Sequence, residues 1–263
     1  MSSTPYHACP TPLLLLCCAC ASTPLPIDSG EPEEVDVSCG GPVVIPSGNL
    51  NIDDELVVAD AHINTFGADP TPYHVHLQWP TSDPATGAAF LWRTDTTTLS
   101  SVVEIGPAET FPDGAETHNG YSFRFGGAMA GEGPFRIHEV RICSDLTPNT
   151  TYSYRVGGEQ SWSQTHTFTT PPAIGTTKNH RIAMAGDSRG AYETWGQMLQ
   201  SMDAMGPDFF LFSGDMVNIG TVQSEWDAWF DAGEEILARR PILTAHGNHE
   251  YLAQNYFAQF AYP

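Results

Sequence analysis

His180-Arg181-Ile182-Ala183-Met184-Ala185-Gly186-Asp187, Phe209-Phe210-Leu211-Phe212-Ser213-Gly214-Asp215 and Ile242-Leu243-Thr244-Ala245-His246-Gly247-Asn248-His249-Glu250 share one pattern. Each is a short apolar run closed by glycine and an oxygen-bearing side chain. Runs of this length read as strands, and the segments between them, around Tyr192-Met205 and Glu225-Ala238, carry amphipathic helical spacing. Strand alternating with helix predicts parallel strands joined by right-handed crossovers. The three tips then converge on the carboxyl edge of one sheet, where such folds keep their ligands. Glycine permits a sharp turn there, and the next side chain reaches a hard or borderline cation without a bulky neighbour. Gly-Asp alone is common, and an Asp before a helix is a frequent N-cap. A Gly-Asn-His-Glu tetrapeptide, by contrast, arises by average residue usage only about once in a thousand chains of this length. The three in order point to a cation site. Two cations about 3.5–4 Å apart at such a site orient a phosphoryl group and acidify a water.

Upstream, from about 41 to 172, the period changes. Tyr73-His74-Val75-His76-Leu77-Gln78-Trp79, Ala88-Ala89-Phe90-Leu91-Trp92, Tyr121-Ser122-Phe123-Arg124-Phe125 and Phe135-Arg136-Ile137-His138-Glu139-Val140-Arg141-Ile142 are short aromatic-rich runs separated by Gly, Pro, Asp and Asn. Such spacing predicts an antiparallel β-sandwich. In Leu146-Thr147-Pro148-Asn149-Thr150-Thr151-Tyr152-Ser153-Tyr154-Arg155-Val156-Gly157, Pro148 and Asn149 make a corner and Tyr152, Tyr154 and Val156 share one face. Thr165-Pro172 fits the last strand and its exit. His74 and His76 read as edge-strand residues, and 41–172 offers no catalytic constellation.

The 146–157 stretch resembles fibronectin type III domains, including the one that precedes the catalytic domain of purple acid phosphatases. The Gly-Asp, Gly-Asp, Gly-Asn-His-Glu series resembles the calcineurin-like metallophosphoesterases, closest to purple acid phosphatases, and the Phe257-Pro263 tail fits the same likeness. The resemblance implies two domains, an all-β fibronectin III-like sandwich at 41–172 and the first half of an α/β metallophosphoesterase domain at 179–263. It implies that Asp187 binds the first of two metal ions, Asp215 bridges both and Asn248 binds the second. It places His249 to hydrogen-bond a phosphate ester and protonate the leaving group, which suits an imidazole. His246 has no counterpart in the motif and reads as a strand-end residue, and Glu250 as a surface carboxylate or one behind the ligands.

Three departures qualify the likeness. Asn218 stands where purple acid phosphatases carry the tyrosine that binds ferric iron, which argues against a tyrosinate-bound ferric centre; divalent or mixed-valence ions, with Fe, Zn and Mn as candidates, remain. Arg189 stands where many relatives carry a histidine ligand; a guanidinium cannot ligate a metal, and it either contacts phosphate as a planar donor fork or ion-pairs with a nearby acid. The family's downstream histidine ligands are not encoded before Pro263, so the chain is expected to be C-terminally truncated and poorly active.

The 263 residues carry 10 basic and 31 acidic side chains, a formal charge of -21. That field repels nucleic-acid backbone and argues against a sequence-independent nucleic-acid binder. An anionic phosphate-ester substrate needs local compensation by cations or arginine. Residues 1–20, with Leu13-Leu16 followed by Cys17, Cys18 and Cys20, read as an export signal whose Cys18 or Cys20 resembles a lipid-bearing lipobox cysteine. Residues 21–40, rich in Pro and acids, read as a solvated tether. The expected location is therefore periplasmic, outer-membrane as a lipoprotein, or extracellular, with membrane attachment through the lipidated N-terminus. Cys39 and Cys143, left over in the folded body, form a candidate disulfide pair. Two functions stand at this point: metal-dependent hydrolysis of phosphate esters, or a surface-anchored, non-catalytic binding protein that uses the sandwich.

Overall fold

A computed structural model describes residues 57–79, 83–126 and 134–261. The export leader, the tether, Cys18, Cys20, Cys39 and residues 41–56 lie outside them. Cys143 is disulfide-bonded, and its expected partner Cys39 is among the residues not described.

The described residues between 57 and 169 form two antiparallel sheets. The strands are β1 (Val57–Val58), β2 (Tyr73–Gln78), β3 (Ala88–Thr94), β4 (Val102–Pro107), β5 (Glu116–Asn119), β6 (Tyr121–Phe125), β7 (Phe135–Ile142), β8 (Thr151–Gly158), β9 (Ser161–Trp162) and β10 (His166–Thr169). One sheet runs β1-β6-β7-β3-β2 and the other β10-β8-β4-β5, with β9 paired to β8. Period-two alternation supplies the core. Phe90 and Trp92 of β3, Val103 and Ile105 of β4, and Tyr152, Tyr154 and Val156 of β8 are buried in one cluster. The corner forms where expected: Asn149 has φ +53, and the Tyr152 hydroxyl accepts the Thr147 N–H at 2.9 Å. A short Asn tolerates that left-handed backbone better than most residues.

The remainder is a three-stranded parallel sheet, β11 (Ile182–Ala185), β12 (Phe209–Phe212) and β13 (Ile242–Thr244), with α1 (Tyr192–Ala204), α2 (Gln223–Asp231), α3 (Glu234–Leu237) and α4 (Gln254–Gln259). Ala185 pairs with Phe212 and Phe212 with Thr244, so all three strands end at one level. Ala183, Phe210, Phe212 and Ile242 pack on Trp195, Leu199, Trp226, Trp229 and Phe230. The helix expected as one piece over Glu225-Ala238 is broken at Ala232-Gly233. A Cβ on Gly233 would lie 2.8 Å from Leu199, and one on Gly196 2.8 Å from the Ala232 carbonyl, so α1 lies against the break too closely for a side chain there.

Sandwich and parallel sheet meet along β2, the edge strand anticipated for the histidine pair, but the edge is covered. Arg93 ion-pairs with Asp227 of α2 and lies 5.2 Å from the Phe230 ring centroid. His76 is in hydrogen-bond contact with the Gln259 carbonyl at 2.8 Å, the Gln78 amide donates to the Ile242 carbonyl at 3.3 Å, and Tyr154 donates its hydroxyl to the Ala238 carbonyl. His74 and His76 do lie on the edge strand, as read, and the covered edge leaves both buried.

Burial pulls the His138 imidazole down to about 3, while its ring stacks on Trp92 at 5.0 Å and its nitrogens contact Thr94 Oγ1 and Ser101 Oγ. A folded-state value below the unfolded one means that protons favour unfolding. Stability is then fully present above pH about 6.5 and falls as pH drops toward 3. Between pH 6.5 and 4 the loss from this one group is on the order of 3 kcal/mol. Urea midpoints measured across that range should decline steeply, and His138→Gln should flatten the decline; parallel profiles for the two proteins would refute the assignment.

Candidate metal centre

Strands ending at one level place Gly186-Asp187, Gly214-Asp215 and Gly247-Asn248-His249-Glu250 side by side. The tips lie so close that a Cβ on Gly214 would sit 2.6 Å from the Gly247 nitrogen, and one on Gly247 2.2 Å from Asp215 Oδ1. Glycine at both positions is what permits the approach. Asp187 and Asp215 both adopt φ +57, a strained backbone for a residue with a Cβ. Cross-tip hydrogen bonds hold them there. The Asp187 N–H donates to the Gly214 carbonyl at 3.1 Å, Arg189 N–H to the Asp215 carbonyl at 3.3 Å, and Ser188 Oγ to the Met216 carbonyl at 2.7 Å.

Of the two readings for Glu250, a surface carboxylate or one behind the ligands, the second is the one present. It is fully buried, and its carboxylate accepts the N–H groups of Asp215 at 3.0 Å, Met216 at 2.7 Å and Gly247 at 2.6 Å. One side chain therefore clamps the second tip to the third. In the sequence the signal was its place directly after Gly-Asn-His, but nothing there shows three amide donors converging on it.

The three predicted ligands all follow strand ends on this one edge. Asp215 is nearly buried and its Oδ1 accepts the His249 N–H at 2.9 Å. Asp187 and Asn248 are exposed beside it. Arg189 joins the group: Nη2 is 2.9 Å from Asp187 Oδ1, Nε is 3.9 Å from Asp215 Oδ2, and Nη1 donates to His249 Nε2 at 2.9 Å. Of the two readings for Arg189, the ion pair is the one present. His249 Nδ1 lies 2.8 Å from the Asn218 carbonyl. A carbonyl only accepts and a guanidinium only donates, so the imidazole is the neutral Nδ1–H tautomer with its lone pair at Nε2. Asn218, noted for the missing tyrosine, thus orients the histidine through its backbone. His246 accepts the Leu252 N–H at Nε2 and stacks on Phe257, as expected of a structural residue.

The Asp187 and Asp215 carboxylates are donors of the type that take divalent first-row ions, and they already face one positive group, the Arg189 guanidinium. In donor chemistry these residues fit a metal ion.

Residues 72–170 match the family model described as purple acid phosphatase, N-terminal domain, and residues 180–263 the model described as calcineurin-like phosphoesterase. Purple acid phosphatase 22 of Arabidopsis thaliana is 30% identical over 189 residues, spanning 72% of this chain and 40% of the relative. Purple acid phosphatase 21 of the same plant is 29% identical over 179 residues, 68% of this chain and 38% of the relative. A further relative, named probable inactive purple acid phosphatase 27, is 28% identical over 137 residues, 44% of this chain and 22% of the relative. The structure of purple acid phosphatase PPD1 from yellow lupin superposes with a TM-score of 0.59 at 24% identity, covering 69% of this chain and 36% of that one. The chain spans about two-fifths of the length of the first two relatives.

If Glu250 is the clamp, Glu250→Ala strands three buried N–H groups. The expected cost is on the order of 3 kcal/mol or more. Chemical unfolding should show that loss, and hydrogen exchange at Asp215, Met216 and Gly247 should accelerate together. Unchanged protection at those three amides would contradict the clamp.

Proposed function

We propose, on the premise that this chain belongs to the purple acid phosphatase-like metallophosphoesterases, joining a purple acid phosphatase N-terminal domain to a calcineurin-like phosphoesterase domain, that its strand-tip edge binds divalent cations and hydrolyses phosphate esters. The carrying observation is the convergence of Asp187, Asp215 and His249 around one cationic group. The family implies a binuclear site, in which Asp187, Asp215 and Asn248 would hold the ions. Ions bound there supply Lewis-acid stabilisation of the phosphoryl oxygens and an acidified water.

The chain's own residues do the remaining work. Asp215, tied through Oδ1 to the His249 amide, keeps Oδ2 available for a ligand. His249, held by its Nδ1–H at the Asn218 carbonyl, presents Nε2, which would first take up a proton from solvent and then, as imidazolium, give it to the leaving oxygen. Arg189, two residues from Asp187 at the same edge, would offer its donor fork to the phosphate. The substrate is a phosphate ester, and a net charge of -21 makes such local cations necessary.

Export belongs to the same proposal. The disulfide at Cys143 supports it, because such bonds persist in oxidising compartments.

Metal-dependent hydrolysis of an aryl phosphate tests the reading. Asp215→Ala should abolish both metal binding and turnover. Arg189→Ala should retain metal while weakening inhibition by inorganic phosphate about 10- to 100-fold, the effect of losing a charge-assisted contact. Turnover insensitive to Asp215→Ala would overturn the assignment, and metal loss in Arg189→Ala with unchanged phosphate affinity would remove Arg189 from the anion site.

A further inference from the structure

A second cluster of ligand-type side chains lies away from the strand tips, where β2 meets the helices. His74 of β2, Asp231 at the end of α2 and Glu234 at the start of α3 each offer one donor atom, and the three atoms lie within 4.8 Å of one another. We propose that these residues form a separate binding site for one divalent first-row cation of the Zn2+ class, which clips the sandwich to the parallel-sheet half.

His74 carries the argument. Its backbone is left-handed at φ +53, the β2–β3 register slips between Tyr73 and His76, and its side chain is only 4% exposed. A left-handed backbone is uncommon for a residue with a side chain, and such positions recur at binding sites. Hydrogen bonding accounts poorly for it. Nε2 meets Asp231 Oδ1 at 2.7 Å, but that carboxylate is 71% exposed, and exposed pairs of this kind return little. Nδ1 is buried with no partner among the described residues.

A cation accounts for more. Tetrahedral Zn2+ with bonds of about 2.0–2.1 Å sets its ligand atoms roughly 3.4 Å apart. The 2.7 Å contact and the 4.8 Å limit bracket that spacing, so small side-chain shifts suffice. Arg93 is already neutralised by Asp227, which leaves the charges of Asp231 and Glu234 to match a divalent ion. Glu234 Oε1 accepts the Val75 N–H at 3.4 Å, which orients that carboxylate on the bulge. The exposed Asp231 leaves a route for ion entry and a position for water.

The experiment uses the full chain in an Asp187→Asn, Asp215→Asn background, which disables the strand tips and makes the outcome independent of the phosphoesterase reading. Zn2+ is titrated by calorimetry, and urea unfolding is followed with and without the ion. Asp231→Asn, an exposed and conservative change, and Glu234→Gln, which keeps an acceptor for Val75, should each remove one equivalent of bound Zn2+ or weaken it at least 100-fold. Each should also erase the Zn2+-dependent rise in urea midpoint. A background protein that binds no Zn2+, or a stoichiometry and affinity unchanged by both substitutions, would overturn the site.

Discussion

Everything at the strand tips depends on one buried carboxylate. Glu250 sits where three backbone amides, two from the β12 tip and one from the β13 tip, point at the same spot. Burying a charge is costly unless hydrogen bonds replace its water, and here three donors do so. The arrangement works only in one geometry. If Asp215 left φ +57, or if Gly247 carried a Cβ, the amides would no longer converge. The clamp therefore fixes the backbone that aims Asp215 outward, and the strain at Asp215 is sustained by bonds made behind it.

In front of the clamp, charge balance takes over from hydrogen bonding. Two aspartates at one sheet edge repel each other unless a cation lies between them, and the Arg189 guanidinium fills that role from two residues after Asp187. Its third arm reaches His249 and sets the tautomer. The pairing is local, because only Ser188 separates Arg189 from Asp187 in the chain.

The sandwich supports the sheet through polar as well as apolar contacts. Arg93, His76 and Gln78 are buried on strands of one half and reach an acid or backbone carbonyls of the other. Such groups are poor for burial alone but demand specific partners, so they set the relative position of the two halves more sharply than Phe230 or Phe260 could. Their cost appears as acid sensitivity, because neutral buried imidazoles take up protons only on unfolding.

Much was legible in the chain itself. Period-two runs located most of the sandwich strands, and the Tyr152-Tyr154-Val156 face packs inward as its alternation requires. Alternation of apolar runs and amphipathic segments placed the parallel sheet, and strand-end glycines marked Asp187, Asp215 and Asn248 on one edge. These features are local: they follow from backbone periodicity and from what glycine permits within a few residues. What the sequence could not express is whatever depends on contacts between distant residues. The break between α2 and α3 arises from α1 lying against it, the burial of His74 and His76 from helices more than 150 positions away, and the identity of Glu250 as a clamp from amides 34 and 35 positions upstream. A carboxylate reads as a surface residue until the fold brings donors to it, because its burial becomes affordable only when every lone pair facing the interior has found a partner.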